Sequence, residues 1–383
     1  MTSTVPVPTR LPEVPGAVES VLREFLDTAV STAAGISPVV GSSAQVVADF
    51  VLSGGKRIRP VFAFAGWQAG LSDPARVPTG STDSDALRVC AALELVQGCA
   101  LIHDDIIDAS DTRRGRPTVH RVFERGHRES GWRGDAAAHG VASAILAGDF
   151  ALAWADDLVH GYVPATLTPA GRPAGHADVR PLPPAAIATW AAMRTEVLGG
   201  QVLDIVNEVS GEESADAAYR VMEFKTAAYT VARPLELGAR VAGASDGLID
   251  QLRSVGHDLG IAFQLQDDLL GVFGDPERTG KPSGDDLAAG KRTALLALGL
   301  SRADDRDPAL GDALRSVVGT ELSADDLATA RGILTDVGAV ADIERTIDTL
   351  LDSAVTTLES TDIDDAVYTD LVAVARRMAH RDA

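Results

Sequence analysis

The chain has 383 residues, enough to bury a substantial core, and 45% of them are apolar while only 4% are aromatic. A formal net charge of −21 excludes a partner drawn in by a global positive field, nucleic acid above all. The only two cysteines, Cys90 and Cys99, sit in an apolar helical stretch, which excludes a disulfide framework or a zinc site.

Abundant Ala, Leu and Val with few aromatics favour helix packed on helix, so the expected fold is all-α. The first residues, MTSTVPVPTRLPEVPG, lack the apolar core of a secretory signal. No stretch is expected to reach transmembrane length, and the expected location is cytoplasmic. Residues 1–16, rich in Pro and Thr, read as a mobile arm. Residues 17–383 read as a single domain.

In chain order, the apolar pattern is helical from Val18 to Leu52 and stops at Gly54-Gly55. A second helix is predicted from Pro60 to about Leu71. A polar loop follows, and a third helix runs to Asp108 from a cap at Ser84 or Asp85. That helix is apolar nearly all round, so it is expected to be buried. Residues 125–139 (RGHRESGWRGDAAAH) read as a loop, and VASAILAGDFALAWADDLV reads as a helix. Gly161–Pro184, dense in Pro and Gly, reads as a surface insertion. Further helices are predicted at about 185–210, 214–242, 246–273, 291–301 and 323–380. No strand alternation of useful length appears.

Chemistry is concentrated in two acidic motifs. In DDIIDASDTRRGRPTVH the helical repeat projects Asp104, Asp108 and Asp111 from one face. In the second, Gln264, Asp267 and Asp268 share a broader face. Gathered carboxylates repel one another, and Mg²⁺, which arrives with phosphate oxygens in its shell, resolves the repulsion. Arg113, Arg114 and Arg116 follow the first motif closely, and GGKRIRP presents Lys56, Arg57 and Arg59. Lys225 and Thr226 lie in an otherwise apolar helix, where a lysine needs a cavity or an anion. Lys281 and Lys291 follow the second motif on Gly-rich loops. The set describes a pocket for diphosphates. Asp285 and Asp286 read as a helix N-terminal cap, His103 as a packing residue, and Gly199-Gly200-Gln201 with Asp204 as a close helix approach.

With these motifs in this order, the chain from about residue 20 to 375 resembles the trans-isoprenyl diphosphate synthases of the polyprenyl synthase family. The resemblance implies an all-α isoprenoid synthase-type bundle around a central cavity, usually a homodimer. It also implies three Mg²⁺ per site, with isopentenyl diphosphate and an allylic diphosphate (dimethylallyl, geranyl or farnesyl) as substrates. By matching motifs, Lys56, Arg59, Gln97 and Arg114 would bind isopentenyl diphosphate, with Gln97 standing where relatives often have His. Asp104 and Asp108, assisted by Asp105, would hold two Mg²⁺ on the allylic diphosphate. Arg113, Lys225, Thr226, Gln264, Lys281 and Lys291 would contact that diphosphate. Asp267 would hold the third Mg²⁺, with Asp268 in support. Gly271 departs from the third Asp that many relatives carry.

Product length is expected to follow the side chains before Asp104, where fifteen-carbon synthases often carry Phe or Tyr. Here Cys99 and Ala100 are small, and Val96 and Leu95 one turn deeper are not aromatic. An open floor implies twenty carbons, geranylgeranyl diphosphate, with farnesyl and twenty-five-carbon or longer products as alternatives. A cyclase would not need GGKRIRP. A non-catalytic partner subunit would not need an intact first acidic motif.

Overall fold

The computed structural model describes residues 6–162, 181–276 and 283–379. Its contacts cluster into two compact units. The first comprises Met1–Leu71, Arg76–Ile187 and Leu237–Ala244, the second Ser72–Ala75, Ala188–Glu236 and Ser245–Ala383. Each is built from helices, as expected. Among the described residues the only strands are β1 (Thr112–Arg113) and β2 (Arg116–Pro117).

In the first unit, a 3₁₀ turn at Leu11–Glu13 leads into α1 (Val14–Ile36), with Leu11 and Val14 buried. Regular structure therefore starts inside the stretch read as a mobile arm. One helical pattern was expected from Val18 to Leu52, but Pro38 cannot donate within a helix interior and instead starts α2 (Pro38–Leu52). The Ser37 side chain caps that start, accepting from the Val39 N–H at 3.2 Å. After α3 (Ile58–Ser72), Thr82 and Asp85 form a capping box that starts α4 (Asp83–Ile107). Helix α4 packs chiefly on α6 (Ala136–Val159).

Between them lies α5 (Val119–Glu129), which overturns part of the loop expected at 125–139. Its buried side consists of Val119, His120, Glu124 and His127, so its inward face is mostly polar in type. Glu124 is satisfied by Arg121 at 2.5 Å and by Arg128, and His127 by the Arg133 carbonyl at 3.1 Å. A search for apolar periodicity has nothing to find there.

Helices α4 and α6 also correct the expectation that no stretch could span a membrane. Both have the length, and an 18-residue window of each reaches a mean hydropathy of 1.4. For α4 the reason is burial within the protein, where 72% of that window lies. Helix α6 is only 28% buried there and shows Val141, Ile145 and Leu146 at its surface.

The second unit carries most of α7 (Pro184–Ser210), then α8 (Ala215–Val221), a π-helix (Met222–Ala232) and the start of α9 (Arg233–Ala242). Next come α10 (Asp246–Phe273), the short α11 (Asp285–Ala288) and α12 (Ala294–Arg306). It closes with α13 (Pro308–Val317), α14 (Ala324–Asp336), α15 (Ala339–Glu359) and α16 (Asp365–Ala379). The sequence reading merged the last three and missed α13. Helix α10 packs on the π-helix and on α15. A Cβ at Gly256 or Gly260 would lie 2.4 Å from the Cα of Ala232 or Ala227, so α10 meets the π-helix backbone to backbone. The insertion falls largely outside the described residues, and α7 begins at its end.

In the first unit, a Cβ at Gly238 would lie 1.8 Å from the Ala63 carbonyl oxygen. Gly238→Ala must therefore separate α9 from α3, at a cost of about 1–3 kcal/mol or more. A lowered thermal midpoint is the expected result, and an unchanged one would show that the two helices separate freely.

Candidate active site

The first unit brings three predicted segments together. Gly54 and Gly55, with φ of 102° and 141°, break the chain after α2 and set out Lys56, which is exposed. Arg57 turns inward. It is 6% exposed, donates from Nη1 to Glu94 Oε2 at 2.5 Å, and donates from Nη2 to the Val51 carbonyl at 2.7 Å. The sequence reading presented Arg57 alongside Lys56 and Arg59, whereas its charge is spent on α4. Glu94 was missed, although a lone carboxylate in the apolar run CAALELVQ is the signature of a buried ion pair.

Helix α4 delivers the acidic motif at its C-terminal end. Asp108 is the C-cap, and Ala109 follows with φ of 49°. Asp111 is therefore off the helix and not on the face of Asp104; it is exposed and accepts from Arg121 Nε at 2.7 Å. Arg113 lies across the motif, with Nε 2.7 Å from Asp105 Oδ1 and Nη2 3.3 Å from Asp104 Oδ2. Arg114 and Gly115, φ 54° and 70°, form the two-residue turn of the β1–β2 hairpin, in which Arg113 pairs with Arg116. From that turn Arg114 Nη1 donates to the Gly54 carbonyl, which ties RRG to GGKRIRP. Gln97 is half-buried on α4.

Asp105 is fully buried, and burial pushes its carboxyl up to about 6 against the opposing charge of Arg113. Its Oδ2 has no hydrogen-bond partner. An enclosed carboxylate oxygen left over beside exposed Asp108 suits a hard cation held with oxygen ligands. Among the described residues, no three His, Cys, Asp or Glu side chains form a metal cage by themselves.

His103 bridges to the Ile145 carbonyl of α6 at 3.1 Å and fills the space beside Gly148, the packing role expected of it. Of the four residues expected to set product length, Leu95, Val96 (3% exposed) and Cys99 (4%) are enclosed while Ala100 is half-buried.

The second unit positions its set through the π-helix, a form that concentrates at functional sites. A Cβ at Gly200 would lie 2.4 Å from the Lys225 backbone nitrogen, so α7 comes as close as its glycines suggested. Lys225 Nζ reaches Asp204 Oδ2 at 2.5 Å, the anion that its apolar surroundings demanded. Thr226 Oγ1 donates to Gln264 Oε1 at 2.7 Å, and Gln264 Nε2 donates to Asp268 Oδ1 at 2.8 Å. The Ala294 N–H donates to Asp268 Oδ2 at 3.2 Å. Asp268 is 2% exposed, with both oxygens hydrogen-bonded, so it anchors Gln264 and the start of α12. Burial holds its carboxyl well above the usual range, and the charges of Asp286 and Asp267 push the same way. Asp267 beside it is exposed. Lys291 is half-buried, and Lys281 lies outside the described residues.

Residues 42–329 match the polyprenyl synthetase family, to which this chain belongs. It is 33% identical over 317 residues to a geranylgeranyl diphosphate synthase of Mycobacterium tuberculosis, covering 82% of this chain and 79% of that protein. A geranylfarnesyl diphosphate synthase of Aeropyrum pernix is 31% identical over 292 residues, 76% of this chain and 78% of its own. The crystal structure of a geranylgeranyl pyrophosphate synthase from Corynebacterium glutamicum, complexed with isoprenyl diphosphate and magnesium, superposes with a TM-score of 0.86. It is 46% identical and covers 97% of this chain and 99% of that one. The fold is thus the all-α isoprenoid synthase fold of these neighbours.

Removing Glu94 strands the buried Arg57 charge. Glu94→Ala is expected to cost about 3–5 kcal/mol in denaturant unfolding. The double variant Arg57→Ala/Glu94→Ala should cost less than the two single losses combined. Strict additivity would deny the pair its coupling.

Proposed function

We propose that this chain, a trans-prenyltransferase, condenses isopentenyl diphosphate with allylic diphosphates and releases mainly geranylgeranyl diphosphate. The observation that carries the reading is the Arg114 bond to the Gly54 carbonyl. It gathers the cations of GGKRIRP and RRG beside the carboxylates of DDIID. Lys56, Arg59, Gln97 and Arg114 hold isopentenyl diphosphate in this reading. Asp104 and Asp108, with Asp105 behind them, and Asp267 on the second motif take three Mg²⁺ with the allylic diphosphate. Bound Mg²⁺ neutralises the charge that builds on the leaving diphosphate.

Arg113, Lys225, Thr226, Gln264, Lys281 and Lys291 contact the same leaving group and favour its departure. Arg113 is held by Asp104 and Asp105, and Lys225 by Asp204, pairings for which a diphosphate competes. The isopentenyl double bond, fixed by its own cations, then attacks the allylic carbon. The allylic carbon–oxygen bond breaks with its electron pair leaving on the diphosphate, and that departed diphosphate takes the proton then lost, which leaves a chain five carbons longer.

Two apolar faces support a homodimer: Val141, Ile145 and Leu146 on α6, and Leu198, Val202, Val206 and Val209 on α7. Exposed stripes of this kind are commonly covered by a second copy.

The test incubates purified protein with Mg²⁺, isopentenyl diphosphate and each allylic primer in turn, and reads product chain length. Twenty-carbon product is expected, and Asp104→Ala should abolish turnover. Phe in place of Ala100, the least enclosed of the proposed floor residues, should shorten the product; so should Cys99→Phe if the floor extends deeper. An unchanged distribution in both would place the floor elsewhere.

A further inference from the structure

The π-helix that carries Lys225 and Thr226 ends where the sequence runs Ala232, Arg233, Pro234. The Arg233 N–H donates to the Ala228 carbonyl five residues back, which closes the last π turn. Pro234 has no N–H, so the ladder cannot run past Arg233. The backbone of Arg233 fixes the end of the π-helix, and its side chain fixes where that end lies.

The guanidinium makes three bonds in two directions. Nε donates to Glu196 Oε2 at 2.8 Å and Nη2 to Glu196 Oε1 at 2.6 Å, a two-pronged grip on α7. Nη1 donates to Glu236 Oε2 at 2.5 Å, one turn further along in α9. Glu236 is 3% exposed and also accepts from Thr189 Oγ1 at 3.2 Å, so α7 is held a second time.

Side-chain packing does not fill this side of the π-helix. A cavity of about 310 Å³ lies there, lined by Phe224, Ala228, Ala232, Arg233 and Glu236 among others. Elsewhere the π-helix meets its neighbours backbone to backbone, with Gly200 of α7 at Lys225, and Gly260 and Gly256 of α10 at Ala227 and Ala232. A bare glycine backbone limits approach but offers nothing to catch a helix that slides past it. A planar fork bonded to two other helical segments admits one position. A part-buried charge network adds little stability over apolar packing of the same volume, so geometry is what this one supplies.

We infer that Arg233 is a positioning residue for prenyl transfer. By tying the end of the π-helix to α7 and α9, it sets Lys225 and Thr226 against the allylic diphosphate, and it touches no substrate itself. The clamp and the pair it positions lie in the same compact unit. The inference rests on the reading above, in which Lys225 and Thr226 contact that diphosphate.

The experiment is steady-state kinetics on the full-length protein with Mg²⁺, varying an allylic primer and isopentenyl diphosphate separately, well below each variant's melting temperature. Arg233→Gln should raise the KM for the allylic primer and lower its kcat/KM ~10- to 100-fold, the scale of a small misplacement made away from the chemistry. The KM for isopentenyl diphosphate should not move, because Lys56, Arg59, Gln97 and Arg114 belong to the first unit. A smaller folded fraction would lower the apparent kcat and leave both KM values in place. Arg233→Gln also deprives buried Glu236 of its closest cation, so Arg233→Gln/Glu236→Gln, which removes that charge, should show the same kinetic loss. Arg233→Lys, with one point charge for the fork, should recover part of it. In a Lys225→Ala/Thr226→Ala background, Arg233→Gln should cost nothing further, since the pair it positions is gone. An unmoved allylic KM in both Arg233 variants overturns the inference, as does a loss that multiplies in full with that of Lys225→Ala/Thr226→Ala. If Lys225→Ala/Thr226→Ala itself leaves the allylic kinetics at the parent level, the assignment of that pair falls and takes the inference with it.

Discussion

Like charges gathered in a small volume repel, and this chain gathers both signs in the segments expected to hold its substrates. The structure pairs three of these cations with carboxylates. Arg57 is held by Glu94, Arg113 by Asp104 and Asp105, and Lys225 by Asp204. The pairings differ in kind. Arg57 and Glu94 are both buried, so their partnership is permanent and fixes the GGKRIRP backbone against α4. Arg113 and Lys225 are each about a quarter exposed or less, with side-chain values of 22% and 26%, and a diphosphate can reach them. Burial thus separates the cation that positions the loop from those left accessible.

Backbone strain follows the same segments. Among the described residues, three non-glycine residues adopt positive φ: Arg57, Ala109 and Arg114. Each costs on the order of 1–2 kcal/mol, and such residues persist where surrounding contacts over-determine them. Arg57 turns in to reach Glu94, Ala109 ends α4 so that the RRG hairpin can fold back, and Arg114 forms the tip that bonds Gly54. All three serve to bring GGKRIRP, DDIID and RRG into one place, so the strain is local to the assembly of charge.

The all-α class was legible because Ala-rich apolar periodicity admits little else, and the motif residues were legible because so many charges rarely accompany apolar helices. What each charged residue does was less so. Arg57 read as one of three cations presented by GGKRIRP yet is a buried anchor, since burial is decided by which helix packs on it. Asp111 read as a helical neighbour of Asp104 because periodicity continues past Asp108 while the helix does not. The π-helix has no residue pattern of its own to distinguish MEFKTAAYTVA from an α-helix.

A net charge of −21 and an anionic substrate class look opposed, and range resolves the opposition. At physiological ionic strength exposed charges are screened over about 8 Å, so acids scattered over the surface contribute little at the motif. Within that distance the field is set by the motif's own charges, Arg113 and Arg114 against Asp104, Asp105 and Asp108. A diphosphate carrying Mg²⁺ also arrives with much of its charge already cancelled, so the acidic surface scarcely repels it. The same acids repel a bare polyanion that lacks a metal to mask it. An acidic exterior is therefore compatible with an anion site, because the charge that a small anion meets at close range is set by the motif's own side chains and not by the net charge of the chain.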